Sequence, residues 1–309
     1  MYNSPWPTSH NCRSAERAGA RQPARDGLGD SIVVGGLPGS LSPMATIVFL
    51  HAHPDDEVTT TGGTIARLAG EGHRVVLVTA TRGELGEVPD GLLAEGEALT
   101  DRRVKELAES CRVLGIARQE FLGYHDSGMA GEDSNGRPGA FAAADVDEAA
   151  RSLARILDDE HADVLVAYDE HGGYGHPDHV MVHRVGLRAA ELAGTPRVFM
   201  ATVDRTYLQE LMPSVQGTGL EVTPEMNEMF ETIGVPGTRV TTEIDVRGYL
   251  DVKRSAMRAH ASQIGDTGFF LAMSDDVFTA VWGNEWYVRV RPNLGPPGRV
   301  SVREPSLLA

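Results

Sequence analysis

Between Thr46 and Val203 the chain alternates short apolar runs with longer stretches whose apolar residues recur at helical spacing. "TIVFLH" (Thr46–His51) is rich in β-branched and apolar residues and predicts a buried strand. "TGGTIARLAGEG" (Thr61–Gly72) has helical spacing and stops at Gly72, and "RVVLVTAT" (Arg74–Thr81) is a second buried strand. A βαβ unit of this kind implies parallel strands covered by helices. The alternation continues through a helix from Thr100 to Gly115, a strand "EFLGY" (Glu120–Tyr124) and a helix from Asp145 to His161. It ends with the strand "ADVLVAY" (Ala162–Tyr168), a helix near His176–Gly194 and the strand "RVFMATV" (Arg197–Val203). The pattern predicts an α/β fold: a Rossmann-like, open, mostly parallel sheet with helices on both faces. From about Asp204, loops mix with "RVTTEIDV", the helical "RGYLDVKRSAMRAHASQ" and the aromatic-rich "VFTAVWGNEWYVRV". This part, 204–309, is expected to cap the same core.

The first 43 residues are rich in Gly, Pro, Ser and Arg, show no sustained period and lack the apolar core of a secretory signal. They are expected to be a disordered leader, with the natural start at Met44 and residues 44–309 as one domain. An apolar content of 41% over 309 residues is enough for a large core. The 28 basic and 44 acidic residues give a net charge of -16, which argues against nucleic acid or an anionic membrane surface as the main partner. The apolar runs are far shorter than the roughly 20 residues that span a bilayer, so no membrane insertion is expected. Two cysteines, Cys12 and Cys111, supply neither a disulfide framework nor a thiolate zinc cluster, and a cytoplasmic location fits. Homo-oligomerisation is left open.

In open parallel sheets, ligands bind beyond the carboxyl ends of the strands. Polar clusters fall at four such ends: His53–Glu57, Arg82–Glu87, His125–Met129 and Asp169–His179. Three acids in a row at "HPDDE" repel one another and resist burial, so a bound cation would explain their retention. In "GGYGHPDHV", Pro177 suits a first helical turn, and His176 and His179, three apart, can face one cavity. His53, an aspartate and one of these histidines would supply three N/O ligands and leave a position open for water. Such a set suits catalytic zinc better than structural zinc. A second, adjacent carboxylate is then free to act as base.

"HAHPDDE" with "YDEHGGYGHPDHVMVHR", together with "VTATRGELGE" and "DSGMAG", resembles the LmbE-like, or PIG-L, superfamily of zinc-dependent N-acetylglucosaminyl de-N-acetylases over about Met44–Arg291. Among its branches the chain resembles the deacetylase of mycothiol biosynthesis and the mycothiol S-conjugate amidase. The resemblance implies His53, Asp56 and His179 as ligands of Zn2+, with Fe2+ also accepted by such a set. It implies Asp55 as general base, and His176 as the protonated partner that stabilises the oxyanion or protonates the departing amine. Asp178 would orient and charge that imidazole, and Tyr174 would polarise the amide carbonyl. Arg103, Asp126 and Met129 match positions that contact the sugar or its aglycone. His183 is read as packing, the role of Glu57 stays open, His260 has no assigned task, and the glycines of "TTTGGTIA" allow close helix packing.

The expected function is removal of acetate from a small amino-sugar substrate of the N-acetylglucosaminyl-inositol type by metal-activated water. One alternative keeps the fold and cleaves a larger amide, in a mycothiol-type thiol conjugate or another glycoside. Another is a non-catalytic, metal-stabilised sugar-binding protein, which has little need of a base such as Asp55 beside an open metal position.

Overall fold

The computed structural model describes residues 44–216, 224–265, 270–291 and 302–309. The leader expectation for residues 1–43 lies outside the described residues. Five strands carry the sheet's parallel half: β1 (Thr46–His51), β2 (Arg74–Thr79), β3 (Arg118–Phe121), β4 (Val164–Tyr168) and β5 (Arg197–Thr202). In sequence they alternate with helices α1 (Asp56–Thr60), α2 (Gly62–Gly70), α3 (Leu99–Leu114), α4 (Val146–Asp159), the short turn α5 (Gly172–Gly175) and α6 (Pro177–Ala193). β1 and β4 are buried on both faces after their first residues, as central strands of a covered sheet must be.

Helix ends follow local chemistry. Asp145 caps α4 by accepting from the Glu148 amide, Pro177 opens α6, and α3 closes on Gly115 at φ 77, a left-handed conformation that glycine adopts without steric cost. In α2, a Cβ on Gly63 would lie 2.6 Å from the Val246 side chain, so only glycine permits that approach.

With two further strands, β6 (Thr242–Asp245) and β7 (Asn284–Arg291), the strand order is β3-β2-β1-β4-β5-β7-β6. The chain therefore runs outward from β1 to β3, returns to β4 and runs outward again, so the winding reverses between β1 and β4. With right-handed crossovers this reversal puts α2 and α3 on one face and α4 and α6 on the other. The crevice at the switch point lies beyond the carboxyl ends of β1 and β4, where "HPDDE" and "HPDH" begin.

The C-terminal part does more than cap. β7 (Asn284–Arg291) pairs antiparallel with β5, and β6 (Thr242–Asp245) pairs antiparallel with β7, so both extend the sheet. Helices α7 (Arg205–Gln216) and α8 (Pro224–Thr232) occupy a stretch read as loops, α9 (Leu250–Ala259) packs on α3 and α2, and α10 (Asp275–Trp282) precedes β7. The aromatic-rich segment thus splits into a helix and a strand at Gly283, because apolar spacing alone cannot separate the two in so short a run.

One buried ion pair ties this part to the N-terminal half. Glu285 of β7 accepts from the amides of Gly63 and Thr64 at 2.8 Å each, and Lys253 Nζ of α9 lies 2.7 Å from its carboxylate. Both side chains are almost wholly buried. Lys253→Met is expected to cost about 3–5 kcal/mol, since Glu285 would keep a buried charge without its counter-ion. Urea unfolding monitored by circular dichroism checks this, and an unchanged midpoint would contradict it.

Candidate active site

β1 delivers the chain into a sharp turn. Asp55 stands at φ 105, a left-handed conformation uncommon outside glycine and most tolerated by Asn and Asp. The turn directs His53 inward and starts α1 at Asp56, whose carboxylate accepts from the His53 amide at 2.8 Å. Opposite, β4 leads through Gly172 to α6. A Cβ on Gly172 would fall 2.5 Å from that of His179, so this glycine lets the loop fold tightly over the imidazole.

The structure brings His53, Asp56 and His179 together. Asp56 Oδ2 lies 3.4 Å from His53 Nδ1 and 3.4 Å from His179 Nε2. Two donors of a tetrahedral ion with bonds of about 2.0–2.1 Å are about 3.3–3.4 Å apart, so both spacings fit such an ion. The hydrogen bonds set the tautomers to match. His179 Nδ1 lies 3.2 Å from the Gly172 carbonyl and donates its proton there, and its Nε2 is buried with no hydrogen-bond partner. His53 Nε2 lies 3.1 Å from Asp178 Oδ2 and can donate to it, which frees Nδ1 for an ion. Two other groupings have candidate ligand atoms within 4.8 Å of one another, His53 with His176 and His179 and His53 with Asp126 and Asp178, and both share His53 with the set above. The donor set therefore fits a divalent metal ion.

Electrostatics agree with this use. Burial disfavours a charged His53, but Asp126, Asp178 and Asp56 outweigh it and raise its pKa well above 6.5. A metal ion binding at Nδ1 would take the place of that proton. Burial also opposes ionisation of Asp56, yet His179 and His53 hold its pKa well below the ordinary value. Asp55 differs: burial lifts it to about 6, with Arg103 pulling down and Asp56 pushing up. A carboxylate near 6 beside a water is well matched to proton abstraction at neutral pH.

Burial, reinforced by His53 and His179 and opposed by Asp178 and Asp56, lowers the His176 pKa to about 4 and so favours a neutral imidazole over the protonated partner that the resemblance implies. Its Nδ1 accepts from the Asp178 amide at 3.2 Å, which leaves the neutral ring's proton on Nε2 as a hydrogen-bond donor. Asp178, expected to orient and charge His176, does push that imidazole's pKa upward, while its carboxylate makes its hydrogen bonds to His53 and to the amide and hydroxyl of Ser127. The physical reason is its place in the first turn of α6, where the loop after β3 covers it completely.

Arg103 and Asp126, read as substrate contacts, make hydrogen bonds within the protein, although Arg103 Nε has no partner among the described residues. Arg103 is buried, donates to the Gly83 and Pro54 carbonyls, and lies 3.2 Å from Asp55 Oδ2. Asp126 accepts from the Leu85 and Gly128 amides and sits 3.5 Å from His53 Nε2. Met129 is 52% exposed in the loop after β3. Tyr174 is 45% exposed, with its ring 5.0 Å from that of His179. His183 bonds the Tyr168 carbonyl through Nδ1 at 2.9 Å, as a packing residue would.

The sequence reading left two residues here without a role, Glu57 and His260, which meet at 2.6 Å in the protein interior. Asp169, which opens the fourth polar cluster and had no role of its own, accepts from the His171 and Gly173 amides and so shapes the loop that carries Tyr174. An acid just after a strand end was the available signal for Asp169. His260 lies 203 residues from its partner, and spacing could not find it.

A cavity of about 470 Å³ opens beside these groups. Asp55, Asp56, Tyr174 and His179 form its polar end, and Leu208, Leu211, Met212, Phe230, Trp282 and Trp286 are among its apolar walls.

Comparison with known proteins places this geometry in context. The family described as "PIG-L: GlcNAc-PI de-N-acetylase" matches residues 48–190. The chain is 41% identical over 268 residues to the 1D-myo-inositol 2-acetamido-2-deoxy-alpha-D-glucopyranoside deacetylase of Acidothermus cellulolyticus, covering 82% of this chain and 91% of that protein. It is 41% identical over 276 residues to the protein of the same name from Streptomyces griseus, covering 82% and 86%. Among solved structures, the 4-carboxy-2-hydroxymuconate hydratase of Pseudomonas putida KT2440 aligns with a TM-score of 0.52 at 19% identity, over 82% of this chain and 99% of that one. Its name denotes a hydratase, so the shared architecture carries fold alone, and chemistry must be argued from the site.

Proposed function

The chain belongs to the PIG-L family of GlcNAc-PI de-N-acetylases, and from that premise we propose that it is a zinc-dependent deacetylase of an N-acetylglucosaminyl-inositol type of substrate. The observation that carries the reading is Asp55, an acid lifted to about 6, beside the convergent donors of His53, Asp56 and His179. The relatives named as deacetylases of an acetamido-glucopyranosyl inositol support the substrate class.

His53 Nδ1, Asp56 and His179 Nε2 would hold the ion, zinc by preference, with iron(II) compatible with the same N/O set. When bound, it would supply Lewis-acid polarisation of a water and of the amide carbonyl. Asp55 accepts the proton of the attacking water and, now a carboxylic acid, can return it to the departing amine nitrogen. His176 donates from Nε2 to the carbonyl oxygen as negative charge develops there, and a neutral imidazole suffices for that hydrogen bond. The Tyr174 hydroxyl is a second donor to that oxygen. Asp178 and Asp126 hold the His53 ring, Arg103 holds Asp55, and Met129 is the exposed residue retained as a sugar or aglycone contact. A cytoplasmic location is in keeping with the low cysteine count, and no described helix is long and apolar enough to cross a membrane.

The apolar walls of the cavity favour one second reading, cleavage of an amide within a larger thiol conjugate. A product assay separates the two. Purified, metal-quantified protein is offered N-acetylglucosaminyl-inositol, free N-acetylglucosamine and an S-conjugated amide. Acetate released with the highest kcat/KM from the inositol glycoside is the expected result. Release of a larger acid from the conjugate at higher kcat/KM would overturn it in favour of the amidase.

A further inference from the structure

We infer that Glu57 and His260 form a positioning pair for Asp55, through which helix α9 fixes the place of the proposed base. The inference rests on the reading of Asp55 as that base. It starts from the backbone: at φ 105 the Asp55 amide turns inward, and no side chain of its own caps the first turn of α1. A buried N–H must find an acceptor, and this one donates to Glu57 Oε2 at 2.9 Å. Glu57 is fully buried, so its charge needs partners of its own. Oε1 accepts from Ser110 of α3 at 2.6 Å and meets His260 Nε2, just past the end of α9, at 2.6 Å.

His260 is itself fully buried, and its Nδ1 has no hydrogen-bond partner among the described residues. Among the described residues the imidazole's hydrogen bond therefore goes to Glu57. One oxygen of Glu57 reaches the base's backbone and the other is pinned by two elements distant in sequence. Arg103 acts from the opposite side, on the Pro54 carbonyl and the Asp55 carboxylate. Asp55 is thus gripped at its peptide and at its side chain, and a carboxylate so held keeps one orientation toward the convergent donors of His53, Asp56 and His179. Loss of the His260 contact would let the Glu57 carboxylate rotate and release the Asp55 amide. A displacement of about 1 Å at a reacting group can cost about 100-fold in rate.

The test uses the full chain loaded with zinc, with acetate release from N-acetylglucosaminyl-inositol as readout and metal content measured for each preparation. His260→Leu removes the donor, and His260→Gln places an amide nitrogen where Nε2 stood. The leucine variant is expected to lose about 100-fold in kcat, with KM and zinc content close to wild type. The glutamine variant is expected to recover most of that loss, which a purely packing role would not produce. Wild-type kcat in the leucine variant, or equal losses in both, would overturn the pair. Ser110→Ala, which removes a hydroxyl and little volume, covers the case of a leucine variant that does not fold. A drop in kcat of about tenfold at unchanged KM supports the pair, and wild-type kcat overturns it. Asp55→Asn is run alongside: full activity there overturns the base itself, whereas an inactive Asp55→Asn with a fully active His260→Leu overturns the pair alone.

Discussion

Asp55→Asn is expected to lower kcat by about two to four orders of magnitude while zinc content stays at the wild-type level. Asparagine is the informative replacement, because it tolerates the left-handed backbone that Asp55 adopts at φ 105, whereas alanine would add a steric penalty to the loss of the acid. The variant keeps the side chain's volume between Arg103 and the convergent donors and removes the capacity to take a proton together with the charge that faces Arg103. The same group sets a pH dependence. Burial, against the pull of Arg103, lifts Asp55 to about 6 in the substrate-free protein, and a base works only when unprotonated, so kcat/KM should fall as pH drops through about 6. Stability responds in the opposite direction. A carboxyl group that binds its proton more tightly in the folded state subtracts stability as pH rises from 3.8 to about 6. Stopped assays of acetate release with metal analysis decide the matter; a variant with wild-type kcat would remove Asp55 from the mechanism.

Stripping the metal with a chelator is expected to abolish turnover, and added zinc or iron(II) to restore it. The buried Nε2 of His179, which has no hydrogen-bond partner, and the two 3.4 Å spacings to Asp56 are the basis. Binding to the folded state alone adds about 2.7 kcal/mol at an ion concentration of 100 Kd, which for a chain of this size raises Tm by about 5 °C. His179→Ala should lose both the restoration of activity and most of that rise in Tm, measured by scanning calorimetry with and without zinc. Full turnover in chelated protein with no detectable metal would overturn the ligand set.

Much of this architecture is legible in the chain because it depends on local rules. β1, β2, β4 and β5 stand out as apolar runs, and Gly115 and Gly194 mark helix ends at φ 77 and 67. "HPDDE" and "HPDH" follow β1 and β4, which are neighbours in the sheet, so their convergence follows from the parallel winding itself. The β3 segment is read two to three residues late, since "RQEF" is only partly buried at the sheet edge and carries little periodic signal. Helices α7 and α8 escape because a strand-to-helix connection rich in polar residues and containing Pro213 weakens the apolar spacing.

The sequence by itself determined the strand and helix alternation, the polar clusters at strand ends and the residue types able to bind a metal ion. These depend on spacing within one segment, which backbone geometry turns directly into a face or an end. Tertiary structure alone decided which acid serves which histidine. Asp178, two residues from His176, faces His53 across 125 positions, and Glu57 meets His260 across 203. The antiparallel return of β7 beside β5 belongs to the same class. Such pairings arise from how helices pack across the sheet, where burial forces each charged group to find a partner wherever the fold has brought one.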